Sequence, residues 1–133
     1  MRNKNKKIKI LPYKREEVLT IQDAAQKAGW EITAFNLPKA WEYTQGEGVI
    51  VAVLDTGADL SHEDLLVNLL PGKNFVNNND FPQDENGHGS HVTGIICASN
   101  NEIGVVGVAP KTKVIPVKVL DKNGSGNLQN VAD

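Results

Sequence analysis

The sequence has a single cysteine, Cys97, and little that is aromatic, since phenylalanine, tryptophan and tyrosine make up 5% of it. One cysteine cannot form an internal disulfide, which excludes a small disulfide-stapled domain and favours a reducing compartment. Long hydrophobic runs are also absent. The longest is the six residues Val49 to Leu54, far short of the roughly 20 that span a membrane. No apolar signal core follows the basic start. We therefore expect a cytoplasmic protein with no membrane partner.

Charge is distributed unevenly along the chain. The first 15 residues hold seven of the fourteen basic residues and no acidic one, whereas the rest of the chain has an excess of acidic residues. We expect this basic segment to be attracted to the remainder of the protein. A basic arm can also indicate nucleic-acid binding. Because no basic surface with interleaved aromatics follows it, no nucleic-acid partner is expected.

The pattern along the chain predicts an extension over residues 1–17 and a globular body over residues 18–133. Pro12 disfavours helix at Leu11, so the extension should be extended there. The run Val49 to Leu54, largely β-branched and followed by Asp55, predicts a strand buried on both faces of a parallel, helix-covered sheet. A second strand is predicted over Val114 to Leu120, where Pro116 and Lys118 indicate a position that is not fully central.

Helical and loop signals alternate with these strands. We predict a helix start at Pro38, a capping box over Ser61 to Asp64, a short strand at Asn74 to Val76, a buried helix from His88, a loop at Asn123 to Asn127, and another element from Leu128. Strand, helix, strand, loop and helix in this order define an α/β fold.

Two residues in this pattern are suited to acid–base chemistry. Asp55 follows the buried strand at its carboxyl end, where α/β sheets place functional groups, although an aspartate there can also bond only to its own turn. His88 lies between Gly87 and Gly89, where a substrate backbone can approach closely. A histidine that exchanges protons needs a carboxylate to fix its tautomer, and Asp55 can supply it. The alternatives are a helix-terminal histidine without chemistry, or a metal pair with His91. The latter lacks the cysteine cluster or HExxH pattern of a zinc site.

Three motifs, Val51 to Gly57, Asn86 to Gly94 and Gly104 to Pro110, resemble in sequence and order those of the subtilisin family of serine proteases. The resemblance covers about residues 26–133 and implies a subtilisin-like α/β fold with helices on both faces of the sheet, truncated at the C-terminus. It also implies a serine endopeptidase acting on peptides or proteins, in which Asp55 orients His88, His88 is the general base, and His91 is structural. No serine of this sequence lies in a nucleophile motif, so the chain is expected to be an N-terminal portion. The alternative is a non-catalytic fragment or pseudoenzyme that binds peptides or a partner.

The resemblance implies three further sites. A Ca²⁺ ion would be held by Gln26, Asp64, Ser99, Asn101, Ile103 and Val105. The substrate backbone would pair with Gly124, Ser125 and Gly126, beside an apolar pocket formed by Leu120, Leu128 and Val131. Leu11, Pro12 and Tyr13 are similar to an inhibitory motif in the extension of intracellular subtilisins, a branch whose resemblance also implies a homodimer. From the residues alone, Asp64 would be a capping residue, Ser99 to Val105 a surface turn, and Gly124 to Gly126 a flexible turn.

Overall fold

The computed structural model describes residues 6–13 and 25–132, and it contains seven short strands and four helices within these ranges. The strands are β1 (Lys7–Lys9), β2 (Lys27–Ala28), β3 (Ile50–Asp55), β4 (Lys73–Asn74), β5 (Val105–Val106), β6 (Lys113–Lys118) and β7 (Ser125–Asn127). The helices are α1 (Trp30–Ala34), α2 (Leu37–Ala40), α3 (His88–Cys97) and α4 (Leu128–Ala132), with a 3₁₀ turn at Leu66–Asn68. Pro38 lies in the first turn of α2, as predicted.

The principal sheet is parallel, with strand order β3-β6-β4. Its long ladder pairs Ile50 with Lys113 at one end and Asp55 with Lys118 at the other. Helix α3 packs on β3 and β6, and Val53, Val114 and Cys97 form the buried core between them. The predicted α/β class with a parallel sheet is confirmed.

Strand β3 begins one residue later than predicted and includes Asp55, so the ladder itself fixes the backbone of this residue. Val53 and Asp55 are buried, while Ile50 and Leu54 are exposed. The prediction that this strand is buried on both faces is therefore wrong within the described residues. The reason is that β3 is the edge of this three-stranded sheet and α3 covers one face of it.

Strand β6 is central, which contradicts the position predicted from Pro116. On the β4 side, pairing is interrupted between a bridge of Leu69 with Val114 and the pairing of Lys73 with Val117. Pro116 lies within this interruption, so its missing N–H removes little from the ladder on that side. A proline is therefore tolerated in the middle of the sheet.

The predicted capping box over Ser61 to Asp64 is also wrong. Asp59 accepts hydrogen bonds from the backbone N–H and the hydroxyl of Ser61 (3.0 and 2.8 Å), as in an Asx turn. These bonds lower the pKa of Asp59, the Ser61 backbone N–H most of all. The carboxylate of Asp64 instead contacts a distant loop, described below.

Candidate active site

Asp55 ends β3 with its carboxylate almost fully buried. The backbone N–H of Thr56 donates to Asp55 Oδ1 (2.7 Å), which is the bond expected of an aspartate that binds its own turn. The carbonyl of Asp55 accepts from the N–H groups of Val119 and Leu120. A buried carboxylate requires a further donor because desolvation disfavours its charge.

His88 is that donor. It is the first residue of α3 and follows Gly87, whose φ of 99° lies in the left-handed region where glycine is favoured. The Nδ1 atom of His88 lies 2.8 and 2.9 Å from the two carboxylate oxygens of Asp55. The side chain is 28% exposed. Because Nδ1 faces the carboxylate, the opposite nitrogen, Nε2, is the one suited to exchange protons with a bound molecule.

Asp84 belongs to this site, and the sequence analysis missed it. Its Oδ1 accepts from the Thr56 hydroxyl (2.8 Å) and from the N–H groups of Asn86 and Gly87 (both 2.9 Å), and its Oδ2 accepts from the N–H and hydroxyl of Ser90 (2.9 and 2.6 Å). Burial opposes ionisation of this carboxyl, but the bonds, led by that of Gly87, lower its pKa below the usual range. An acidic residue shortly before a predicted helix was the available signal.

Lys118 is a second residue that sequence reasoning missed. Its side chain is wholly buried, and its Nζ donates to the carbonyls of Thr56 (2.9 Å) and Gln83 (3.0 Å). The same nitrogen lies 3.3 Å from Glu85 Oε2. An ammonium has three donors, and these three acceptors tie the loop after Asp55 to the loop before His88.

The N-terminal segment, residues 6–13, lies against the predicted substrate-binding segment. Strand β1 pairs antiparallel with β7, with Ile8 opposite Gly126. The pairing is extended by hydrogen bonds from the N–H of Ile10 to the carbonyl of Gly124 (2.9 Å) and from the N–H of Leu128 to the carbonyl of Lys6 (3.1 Å). Ser125 and Gly126, predicted to be loop from the residues alone, thus lie in a strand, and the carbonyl of Gly124 continues its edge.

Tyr13 brings the same segment to the histidine. Its hydroxyl donates to Asn86 Oδ1 (2.6 Å), and its ring meets that of His88 edge-to-face, with centroids 5.1 Å apart. Leu11 and Pro12, the other two residues of the predicted inhibitory motif, are exposed between β1 and Tyr13. Segment 6–13 therefore reaches from β7 to His88.

The three predicted pocket residues lie next to β7. Leu120 is buried, and one of its methyl carbons would lie 2.9 Å from a Cβ added at Gly126. Leu128 and Val131 lie on α4 and are exposed. The apolar pocket therefore stays a prediction.

Five of the six predicted calcium ligands converge. Gln26 Nε2 donates to the carbonyl of Ser99 (2.7 Å), to Asn101 Oδ1 (3.3 Å) and to the carbonyl of Val105 (3.3 Å). The buried Asp64 carboxylate accepts from Asn101 Nδ2 (2.9 Å) and from the N–H of Val105 (3.0 Å). The N–H of the sixth, Ile103, donates to Asn101 Oδ1 (2.9 Å), and the role of its carbonyl as a ligand stays a prediction.

The donor set fits a hard cation. Three oxygens, from Ser99, Asn101 and Val105, surround the amide nitrogen Nε2 of Gln26. Rotation of this amide by half a turn exchanges the nitrogen for the amide oxygen, which can bind a cation. The described residues contain no cluster of three or more histidine, cysteine, aspartate or glutamate side chains. A shell of carbonyl and amide oxygens with one carboxylate does not need such a cluster, and it suits Ca²⁺.

Cys97 is buried in the core, and burial raises the pKa of its thiol to about 11. A buried thiol whose pKa is raised is largely protonated near neutral pH and therefore unreactive. His91 is exposed on α3, and the Nδ1 atom of His88 is occupied by Asp55.

Within the described ranges, no helix is long and apolar enough to cross a membrane.

Comparison with known proteins identifies the family to which the chain belongs. Residues 46–133 match the subtilase family, Peptidase S8. The chain is 41% identical over 125 residues to an intracellular serine protease of Paenibacillus polymyxa, covering 91% of this chain and 37% of that protein. It is 43% identical over 97 residues to thermitase of Thermoactinomyces vulgaris, covering 72% and 35%. It is 47% identical over 96 residues to a thermophilic serine proteinase of Bacillus sp. (strain AK1), covering 71% and 24%.

The chain therefore belongs to the subtilase family. It spans between 24% and 37% of the length of these three relatives.

Proposed function

We propose that this chain is the N-terminal portion of a serine endopeptidase, in which Asp55 and His88 act with a nucleophilic serine supplied by sequence outside these 133 residues. The observation that carries the proposal is the contact of His88 Nδ1 with both carboxylate oxygens of Asp55, at 2.8 and 2.9 Å. This is the base-and-orienter half of a catalytic triad.

The chemistry assigned to the two residues is proton transfer. His88 Nε2 takes the proton of the serine hydroxyl as its oxygen attacks the scissile carbonyl, and then gives that proton to the leaving amine as the C–N bond breaks. In the second half, His88 takes a proton from water, which attacks the acyl-enzyme, and returns it to the serine. The Asp55 carboxylate holds the imidazole in one tautomer and stabilises the imidazolium formed in both halves.

We propose that an extended peptide substrate pairs with β7. The N-terminal segment supports this, because it forms an antiparallel ladder there, with Ile8 opposite Gly126 and Lys9 opposite Ser125. Such main-chain pairing accepts many sequences and leaves selectivity to side-chain pockets. Leu120, Leu128 and Val131 are the proposed apolar pocket beside this edge.

The N-terminal segment is then an intramolecular inhibitor. It occupies the edge of β7 and places the Tyr13 ring against His88, so a substrate cannot occupy the same positions. We propose that Pro12 keeps the local peptide bond out of the geometry of attack. The basic charge of the first 15 residues favours this arrangement electrostatically.

We further propose a Ca²⁺ site at Gln26, Asp64, Ser99, Asn101, Ile103 and Val105. The support is the oxygen-rich donor set described above. The ion would join the segment at β2, the loop before the 3₁₀ turn and the loop after α3, so it would stabilise the fold rather than take part in proton transfer.

The proposed location is the cytoplasm. The single cysteine supports it, as does the similarity to a relative described as an intracellular serine protease. The homodimer implied by the resemblance stays a prediction.

The test is labelling with a fluorophosphonate, which reacts with an activated serine, in the complete protease that contains this chain. We expect stoichiometric labelling and casein hydrolysis, both of which His88→Ala abolishes. A matched control is His62→Ala, which removes an exposed histidine away from Asp55. Casein binding without labelling or hydrolysis would instead support the non-catalytic, peptide-binding alternative.

A further inference from the structure

Thr56 is wholly buried and connects the two halves of the site. Its N–H donates to Asp55 Oδ1 (2.7 Å), and its hydroxyl donates to Asp84 Oδ1 (2.8 Å). The same hydroxyl accepts the N–H of Gly89 (2.9 Å), the residue that follows His88 in α3. One hydroxyl therefore joins the loop after Asp55 to the helix that carries His88.

Asp84 extends this connection to both sides of the histidine. Its five hydrogen bonds include the N–H of Gly87, before His88, and the N–H of Ser90, after it. Five donors exceed the roughly four lone-pair sites of a carboxylate, so its oxygens are fully used. The backbone around His88 is thereby fixed relative to a carboxylate that itself contacts Thr56.

We infer that Thr56 and Asp84 are positioning residues that set the distance and angle between His88 and Asp55. This rests on the proposed function. Neither residue transfers a proton, and both act through the backbone on which the pair is mounted. An error of about 1 Å in such a pair can cost about 100-fold in rate, so loosening this connection should reduce catalysis more than binding.

The sharpest test compares two substitutions of Thr56 in the complete protease. Thr56→Val keeps the volume but removes the hydroxyl, whereas Thr56→Ser keeps the hydroxyl. We expect Thr56→Val to lower kcat by about 10- to 100-fold with little change in KM, and Thr56→Ser to restore kcat to within a few-fold of the unmodified protein. The control is Asp80→Asn, which changes an exposed residue of the loop that contains Asp84 and should leave kcat unchanged.

A second readout reports the geometry without catalysis. The proton on His88 Nδ1, which lies between the ring and Asp55, gives a downfield NMR resonance when the bond is short and ordered. We expect Thr56→Val to shift or broaden this resonance, and Thr56→Ser and Asp80→Asn to preserve it. A purely structural role would lower the melting temperature and leave the resonance of the folded protein in place.

Unchanged kcat and an unchanged Nδ1–H resonance in folded Thr56→Val would overturn the inference, as would equal losses in the valine and serine variants. If Thr56→Val does not fold, Asp84→Asn is tested instead. The asparagine keeps one oxygen, but its amide nitrogen would face the N–H of Ser90 and so could not accept that hydrogen bond. If the unmodified protein has no peptidase activity, the proposed function fails. The resonance then still decides whether the hydroxyl of Thr56 orders the His88–Asp55 pair.

Discussion

Removing the hydroxyl of Tyr13 is the most direct way to weaken the proposed inhibition without altering the catalytic pair. Tyr13→Phe deletes the 2.6 Å hydrogen bond to Asn86 and keeps the ring that meets His88 edge-to-face. Tyr13→Ala deletes both. The two substitutions leave the β1–β7 ladder and the contact of His88 with Asp55 intact.

The magnitudes follow from these contacts. A hydrogen bond of this kind contributes about 1 kcal/mol, which corresponds to about a fivefold change in an equilibrium constant. The edge-to-face contact adds about 1 kcal/mol, so Tyr13→Ala should weaken the closed state by about 2 kcal/mol, or about 30-fold. While the closed state dominates, the initial rate should rise by the same factors. The rate of a protein lacking residues 1–17 is the upper limit.

The assay is the initial rate of the complete protease on a short chromogenic peptide, measured before any cleavage of the extension and checked on a gel. Tyr43→Phe, which alters an exposed tyrosine elsewhere, is the matched control and should change nothing. Equal initial rates for the unmodified, Tyr13→Ala and trimmed proteins would refute the inhibitory role. The melting temperature of each protein must be measured too, because trimming removes the β1–β7 pairing.

Four further predictions concern the remaining sites. His88→Ala should lower kcat by about 10⁶-fold, a value taken from subtilisin itself, while circular dichroism shows an intact fold. Chelation of calcium should lower the melting temperature because the ion binds only the folded state, and Asp64→Ala should abolish that difference in a thermal melt with and without chelator. Since the folded pKa of Asp84 is lowered, its stabilising effect is present above the unfolded pKa of about 3.9 and is lost as the pH falls through the folded value. Asp84→Asn should therefore lose less stability in acid melts. The 133-residue chain alone should not be labelled by a fluorophosphonate, and stoichiometric labelling of one of its serines would show that the nucleophile has been misassigned.

The order of elements and the choice of Asp55 and His88 as candidate residues were accessible from the sequence because they depend on local signals. A β-branched run that ends in Asp55 specifies a buried strand end, and glycines on both sides of His88 mark a backbone that a substrate can approach. Neither signal gives the distance between the side chains of Asp55 and His88. That the two side chains lie 2.8 Å apart depends on the parallel pairing of β3 with β6 and on the packing of α3 across them.

The errors arose where a distant contact outweighs a local preference. Pro116 and Lys118 indicate an edge strand by composition, yet both are buried in the central strand. Lys118 is tolerated there because three acceptors from two loops satisfy its ammonium, none of them near it in sequence. Likewise, Asp64 has capping-box spacing but bonds across 37 residues to Asn101.

The contacts that sequence reasoning missed share a physical purpose. The contact between a buried carboxylate and an imidazole is favourable only if both side chains are held at the right distance and angle. The entropy lost when long loops are ordered opposes this contact. Here the restraint comes from groups that perform no chemistry: the hydroxyl of Thr56, the carboxylate of Asp84 and the ammonium of Lys118. Each is buried or partly buried and bonds to backbone atoms of another segment of the chain, either helix α3 or the loop before it. A motif search finds the residues that react, whereas the residues that hold them are identified by their hydrogen bonds, which only the fold brings together.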